Sequence, residues 1–126
     1  DPSTGTEYAL VSTNAGCAFV DISTPTNPIV IGTLASAAST SPWRDVKVYN
    51  NHAFIVSEAA GHGMQVFDLT RLRNTINPPE NFTADAHYTE FGKAHNIVIN
   101  EDSGYAYAVG TDTFGVPENL LAVLGT

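Results

Sequence analysis

Tyr8-Ala9-Leu10-Val11 recurs as His52-Ala53-Phe54-Ile55-Val56 and again as Tyr105-Ala106-Tyr107-Ala108-Val109. In the first two copies a Gly-containing turn follows, then an apolar stretch ending in Asp: Cys17-Ala18-Phe19-Val20-Asp21-Ile22-Ser23 and Met64-Gln65-Val66-Phe67-Asp68-Leu69-Thr70. Arg44-Asp45-Val46-Lys47-Val48 and His95-Asn96-Ile97-Val98-Ile99 also correspond, each a short polar turn ahead of its Ala-containing stretch. Ala9 to Ala53 is 44 residues and Ala53 to Ala106 is 53. A period of ~40–50 residues built from short strands predicts propeller blades, because one four-stranded unit cannot bury both faces alone and must stack on its neighbours. The expected fold is all-β and propeller-like: about two four-stranded blades plus a partial third. A single partial propeller domain spans 1–126, with repeats at about 1–42, 43–92 and 93–126.

The second repeat is the fullest. Arg44–Tyr49 alternates as a half-buried strand does, with Val46 and Val48 on one face and Lys47 and Tyr49 on the other. Asn50-Asn51 reads as a tight turn, His52–Glu58 as the second strand, and Ala59–Gly63 as a flexible hairpin loop whose glycines take positive φ. Met64–Leu69 is the third strand. A polar, Pro-containing excursion follows through Arg71, Arg73 and Asn77-Pro78-Pro79, and Ala84–Phe91 is a weaker outer strand.

The first repeat has a shorter hairpin loop, since Asp21 to Asp68 is 47 residues against 44 between the alanines. Pro28–Leu34 is its apolar outer strand, and Ala35–Pro42 lacks an amphipathic stripe and reads as a loop. The third repeat departs after Thr111, where no strand ending in Asp follows. Pro117–Thr126 instead resembles Pro25–Thr33 with one extra residue. Two blades and a remnant fall short of the ~4–8 that close a propeller, so the sequence is expected to be a fragment of a larger one.

Composition narrows the function classes. Thirteen acidic and five basic residues give a formal charge of −8, which disfavours nucleic acid and anionic membrane surfaces as partners. No stretch approaches the ~18 apolar residues of a membrane helix, and no cationic, apolar leader opens the chain. The single cysteine, Cys17, sits in an apolar strand without a cationic neighbour and is expected to be a buried, unreactive thiol.

Glu7-Tyr8-Ala9-Leu10-Val11, the stretch Phe19-Val20-Asp21-Ile22-Ser23 with Pro25 and Pro28 behind it, and Trp43-Arg44-Asp45-Val46-Lys47-Val48 resemble the LVIVD-repeat proteins. More narrowly, His52–Glu58 and Gly61–Leu69 resemble the choice-of-anchor B family. The resemblance runs from about Asp1 to Gly110. It implies a secreted or cell-surface β-propeller in larger proteins with varied anchoring signals. It transfers no catalytic residue.

The candidate ligand-binding residues are Arg44, Asp45, His62, His95 and Asn96. Arg44-Asp45 and His95-Asn96 hold equivalent positions at the starts of innermost strands, where polar groups converge on a central channel and can receive an anion, a metal or a small molecule. The competing expectation is that they bond to each other and to backbone, tying blade to blade. His62, between two glycines with Glu58 four residues earlier, is placed to reach over the channel or a neighbouring surface; the alternative is an ordinary loop histidine. His52, in place of a Tyr, reads as structural, and His87 as solvent-facing. Asp21 and Asp68 are expected to cap the turns that follow them. Asn81-Phe82-Thr83 has the form of an N-glycosylation acceptor. Four scattered histidines and one buried cysteine supply no metal-site spacing, and no phosphate loop, nucleophile elbow or paired carboxylates occur, so neither metal nor cofactor is expected.

The reading is a secreted or cell-surface module with a binding or structural role and no defined catalysis. Its expected partners are other blades or copies of the same protein, or a small-molecule or carbohydrate ligand. Two alternatives stand beside it: a propeller hydrolase or lyase acting at the polar channel, and a self-assembling extracellular structural protein whose open edges pair between copies.

Overall fold

The computed structural model describes residues 1–112 and 122–125, the latter as a strand only. Eleven strands are present among them: β1 (Tyr8–Thr13), β2 (Gly16–Asp21), β3 (Ile29–Ala35), β4 (Arg44–Tyr49), β5 (His52–Ser57), β6 (Met64–Asp68), β7 (Glu80–Phe82), β8 (Ala86–Tyr88), β9 (Asn96–Asn100), β10 (Tyr105–Val109) and β11 (Ala122–Gly125). They form three sheets, ordered β1-β2-β3-β7, β4-β5-β6-β8 and β9-β10-β11.

The threefold phrase is the strand beside the innermost one. Val46 pairs with Ile55 and Val48 with Ala53 in the second sheet; Ile97 pairs with Ala108 and Ile99 with Ala106 in the third. The registers are therefore the same, residue for residue. Asn50 and Asn51, with φ of 47° and 59°, close the β4–β5 hairpin in the left-handed region such two-residue turns need.

Strand β5 explains why the repeat must stack. Its side chains alternate between two cores. Ala53 and Ile55 pack with Cys17, Phe19, Leu34, Phe67, Leu72 and Phe82 between the first and second sheets. Phe54 and Val56 pack with Met64, Phe91, Ala94, Ile97, Ala106 and Ala108 between the second and third. An aromatic cluster centres the first core: Phe19 and Phe67 stack at 4.5 Å, and Phe82 meets them at 5.9 and 5.0 Å.

Several elements differ from the sequence expectation. Asp68 caps a short 3-10 helix (Leu69–Asn74) inside the polar excursion, and its one buried residue, Leu72, enters the first core. Strand β7 lies in the same excursion but crosses to the first sheet, pairing parallel with β3 through Gly32–Glu80 and Leu34–Phe82. Gly32 makes room for it: a Cβ there would stand 2.4 Å from both Glu80 O and the Phe82 ring. Sheets and repeats therefore do not share boundaries. The outer strand expected over Ala84–Phe91 is confined to Ala86–Tyr88. Strand β11 pairs with β10 directly, the place β2 and β6 hold beside their own neighbours, whereas its likeness to Pro25–Thr33 placed it at the outer edge. The rest of that stretch, with the expected departure after Thr111, lies largely outside the described residues.

Candidate functional site

Arg44 opens β4, and its guanidinium turns back toward the first sheet. Nη2 donates to Ser36 Oγ at 2.6 Å, with longer contacts to the carbonyls of Asn14 at 3.4 Å and Ser39 at 3.5 Å. Nη1 lies 3.0 Å from His62 Nε2. An arginine only donates, so Nε2 is the acceptor, and Nδ1–H donates to Gly63 O at 3.0 Å. That tautomer is the neutral imidazole. His62 is fully buried, so the flexible loop histidine reaching over a channel is not what the structure holds. Burial drives its pKa below the ordinary 6.5 and the Arg44 charge adds to the effect, against the opposing bond to Gly63. His87, exposed as expected, donates from Nε2 to His62 O at 2.7 Å.

Asp45 faces the third sheet. Its Oδ2 accepts the Ile97 N–H at 3.0 Å and the Asn96 amide at 3.5 Å, while Lys47 Nζ donates to both oxygens at 2.7 and 2.8 Å. Burial pulls this carboxyl upward, but the Lys47 ammonium and the Ile97 N–H outweigh it and hold the pKa below the usual carboxylate range. In an antiparallel ladder backbone groups alternate sides, so Ile97 N–H points away from β10 and has no strand partner. Asp45 supplies one from the neighbouring sheet. His95 Nδ1 bonds to Glu58 Oε1, a second link across the same seam.

The five candidate residues thus fall into two groups. Arg44 and His62 sit at the seam of the first and second sheets; Asp45, His95 and Asn96 sit at the seam of the second and third. Arg44 and His95, expected to converge, share no hydrogen bond. A cavity of about 200 Å³ between the first two sheets is lined by Tyr8, Leu10, Val48, Leu69 and Arg73 among others, and by none of the five. Among the described residues no three His, Cys, Asp or Glu side chains are grouped to hold a metal ion.

Elsewhere, Asp21 Oδ1 accepts Ser23 N–H at 2.9 Å, and Asp68 Oδ1 accepts Thr70 N–H at 2.9 Å and its hydroxyl at 2.7 Å. His52 Nδ1 bonds Asn50 O at 2.7 Å. Asn81 is exposed on β7 and accepts a long bond of 3.4 Å from the Thr33 hydroxyl, while Phe82 beside it points into the aromatic core.

The sequence reading missed Ser36 and Gln65. Gln65 Nε2 donates to Ala35 O at 2.9 Å, tying the second sheet to the end of β3 in the first. Its signal was present: Gln65 stands in phase with Phe67, so an amide occupies an inward position of an apolar strand. Ser36 carried no such mark, because its loop shows no periodicity.

Among the described residues no helix is long and apolar enough to cross a membrane. No curated protein and no solved structure matches the chain. Residues 6–35, which hold β1 to β3, match the family model described as LVIVD repeat. That matched segment is similar to the LVIVD repeat, and its β1–β2 register, with Tyr8 opposite Asp21, returns in β5–β6 with His52 opposite Asp68. The chain as a whole is an all-β, propeller-like repeat module.

Proposed function

We propose that this module is a non-catalytic scaffold of a secreted or cell-surface protein, of the kind found in the choice-of-anchor B family. Its polar inner residues hold blade to blade and do not hold a substrate. One observation carries the reading: Arg44, Asp45 and His95 each bond to a neighbouring sheet or its connector. A site built for a ligand keeps some of its polar groups uncommitted and facing a shared cavity. The surface position of Asn81, with Thr83 also exposed behind an inward Phe82, supports passage through a secretory route with a glycan attached there.

Thermal unfolding of Arg44→Ala and Asp45→Ala tests the scaffold role. Residues kept for a ligand are replaced with little loss or even a gain of stability. Inter-sheet ties lose stability, and each variant is expected to melt lower by about 5 °C. Unchanged or raised melting temperatures in both would sink the reading and restore the channel hydrolase or lyase. Secretion from eukaryotic cells tests the localisation: a glycosidase-sensitive mass that vanishes in Asn81→Gln is expected, and a non-secreted or unmodified chain would count against it.

A further inference from the structure

We propose that His62 is an acid-operated latch: protonation at Nε2 releases the Arg44 guanidinium and, with it, the connector of residues 36–41 that Arg44 holds against the second sheet. The latch rests on the reading of Arg44 as an inter-sheet tie and adds a condition under which that tie lets go.

The four histidines differ in one respect. His52 Nδ1 faces Asn50 O, His87 Nε2 faces His62 O and His95 Nδ1 faces the Glu58 carboxylate. Each of these nitrogens donates, so a protonated ring keeps its bond. Among the described residues only His62 also accepts: Arg44 Nη1 stands 3.0 Å from Nε2, while Nδ1–H is engaged by Gly63 O. A proton on Nε2 turns that acceptor into a donor and sets an imidazolium against a guanidinium. Arginine stays charged throughout, so the contact itself must give.

Nothing around the pair offsets the second charge. Burial opposes it most, Arg44 of β4 and His87 of β8 add to the opposition, and contacts with Gly63 and the Gln65 side chain of β6 work the other way without prevailing. Cys17 of β2, the other titratable group beside Arg44, is a neutral thiol. Glu58, on the loop that carries His62, is turned to His95, and Asp112 accepts Lys93 N–H beside Gly92. Neither Arg44 nor His62 has a carboxylate partner among the described residues.

Arg44 is the post of the connector. Its Nη2 donates to Ser36 Oγ at 2.6 Å and reaches Asn14 O and Ser39 O at 3.4 and 3.5 Å. The ends of the connector are also tied to the first sheet, Ser36 N–H to Ala15 O at 2.7 Å and Ser41 N–H to Asn14 O at 3.0 Å. Between them, residues 37–40 have no hydrogen bond to the second sheet other than the one from Arg44, among the described residues. Arg44 Nε is buried without a hydrogen-bond partner among the same residues, so the anchor is already one bond short. The Phe19, Phe67 and Phe82 rings between the same sheets carry no titratable group, so the loosening stays at the polar end of the seam. The second seam is spared, because a protonated His95 keeps Glu58 and Asp45 holds Ile97 N–H without a histidine.

The test is heteronuclear NMR of the intact protein, titrated downward from about pH 7.5, where the neutral imidazole prevails. At the start the His62 ring should show the Nδ1–H tautomer, and residues 37–40 should be rigid, with backbone order parameters of about 0.85. As His62 protonates, below its ordinary 6.5, those order parameters should fall below about 0.6. Protection of the Arg44 Nε–H, taken against free arginine at the same pH, should drop about tenfold or more while Ile97 stays protected. His62→Gln leaves an acceptor that acid does not remove, so both signals should then ignore pH. If that variant does not fold, the native protein decides alone: the midpoints of the His62 ring, residues 37–40 and Arg44 should coincide, and separate midpoints would overturn the latch. A His62 that titrates while the connector stays rigid, or that stays neutral until the chain unfolds, would overturn the latch and leave the scaffold reading standing. A connector and Arg44 already mobile at the starting pH would overturn both.

Discussion

Phe67→Ala is the perturbation that reads the stacking of the first two sheets most cleanly. Phe67 is fully buried, stacks on Phe19 at 4.5 Å and tilts against Phe82 at 5.0 Å, and the Arg71 guanidinium lies 4.8 Å from its centroid. These rings come from β2, β6 and β7, so one substitution removes contacts that join both sheets and the parallel strand. Truncating a buried Phe costs about 3–5 kcal/mol through lost transfer energy and a residual cavity. The cage of rings cannot collapse easily, so the upper half of that range applies, about 4 kcal/mol. With a urea dependence of about 2 kcal/mol/M, the midpoint should fall by about 2 M. Far-UV circular dichroism is the proper probe, because Trp43 is 60% exposed and reports little on unfolding. Ile76→Ala, at a residue 84% exposed, is the control and should change stability by less than about 0.5 kcal/mol. A loss below about 1 kcal/mol for Phe67→Ala would refute a shared aromatic core between stacked sheets.

Three further outcomes follow from single residues. His62 has a folded-state pKa below its ordinary 6.5, so its contribution to stability is present above that value and is lost as pH falls through the lower one. Melting temperature should decline as pH falls below about 6.5, with a shallower decline in His62→Gln; an equal slope in both would refute the assignment. Gly63 and Gly61 both have positive φ, at 61° and 75°, but a Cβ at Gly63 would stand 2.2 Å from Tyr88 O while one at Gly61 meets nothing within 4 Å. Gly63→Ala should therefore unfold at clearly lower urea than Gly61→Ala, whose cost is about 1 kcal/mol, and equal midpoints would contradict the packing. Burial pushes the Cys17 thiol up to about 11 despite the nearby Arg44 charge, so a disulfide reagent at pH 8 should label the native protein slowly and the urea-unfolded one fast.

The architecture was legible because the two-residue alternation and the repeated Ala-containing strand encode pairing and stacking together. Arg44–Tyr49 carries its strand limits in its own pattern. What was not legible depends on distant partners. Glu80–Phe82 is too short and too polar to announce a strand, and only Gly32, 48 residues earlier than Glu80, creates the flat surface it pairs with. The polar candidates were found by repeat equivalence, which locates a position but not the direction of its side chain. Arg44 and His95 are equivalent in register and each turns to the seam before its own sheet, whereas Asp45, next to Arg44, turns to the seam after it. Gln65 could have been read from its phase against Phe67. Ser36 could not, because only its spatial neighbour Arg44 gives it a role.

The link between neighbouring inner strands is tested most directly at the Ile97 amide. Its N–H points away from β10 and is held by Asp45 Oδ2 at 3.0 Å from the adjacent sheet. Bonds to a charged acceptor contribute about 1.5–3 kcal/mol, so Asp45→Ala should speed exchange at Ile97 by about tenfold or more relative to the Ile55 amide inside the second sheet. Equal protection of Ile97 in the two proteins would contradict an inter-sheet role for Asp45, and with it the reading of these residues as a scaffold.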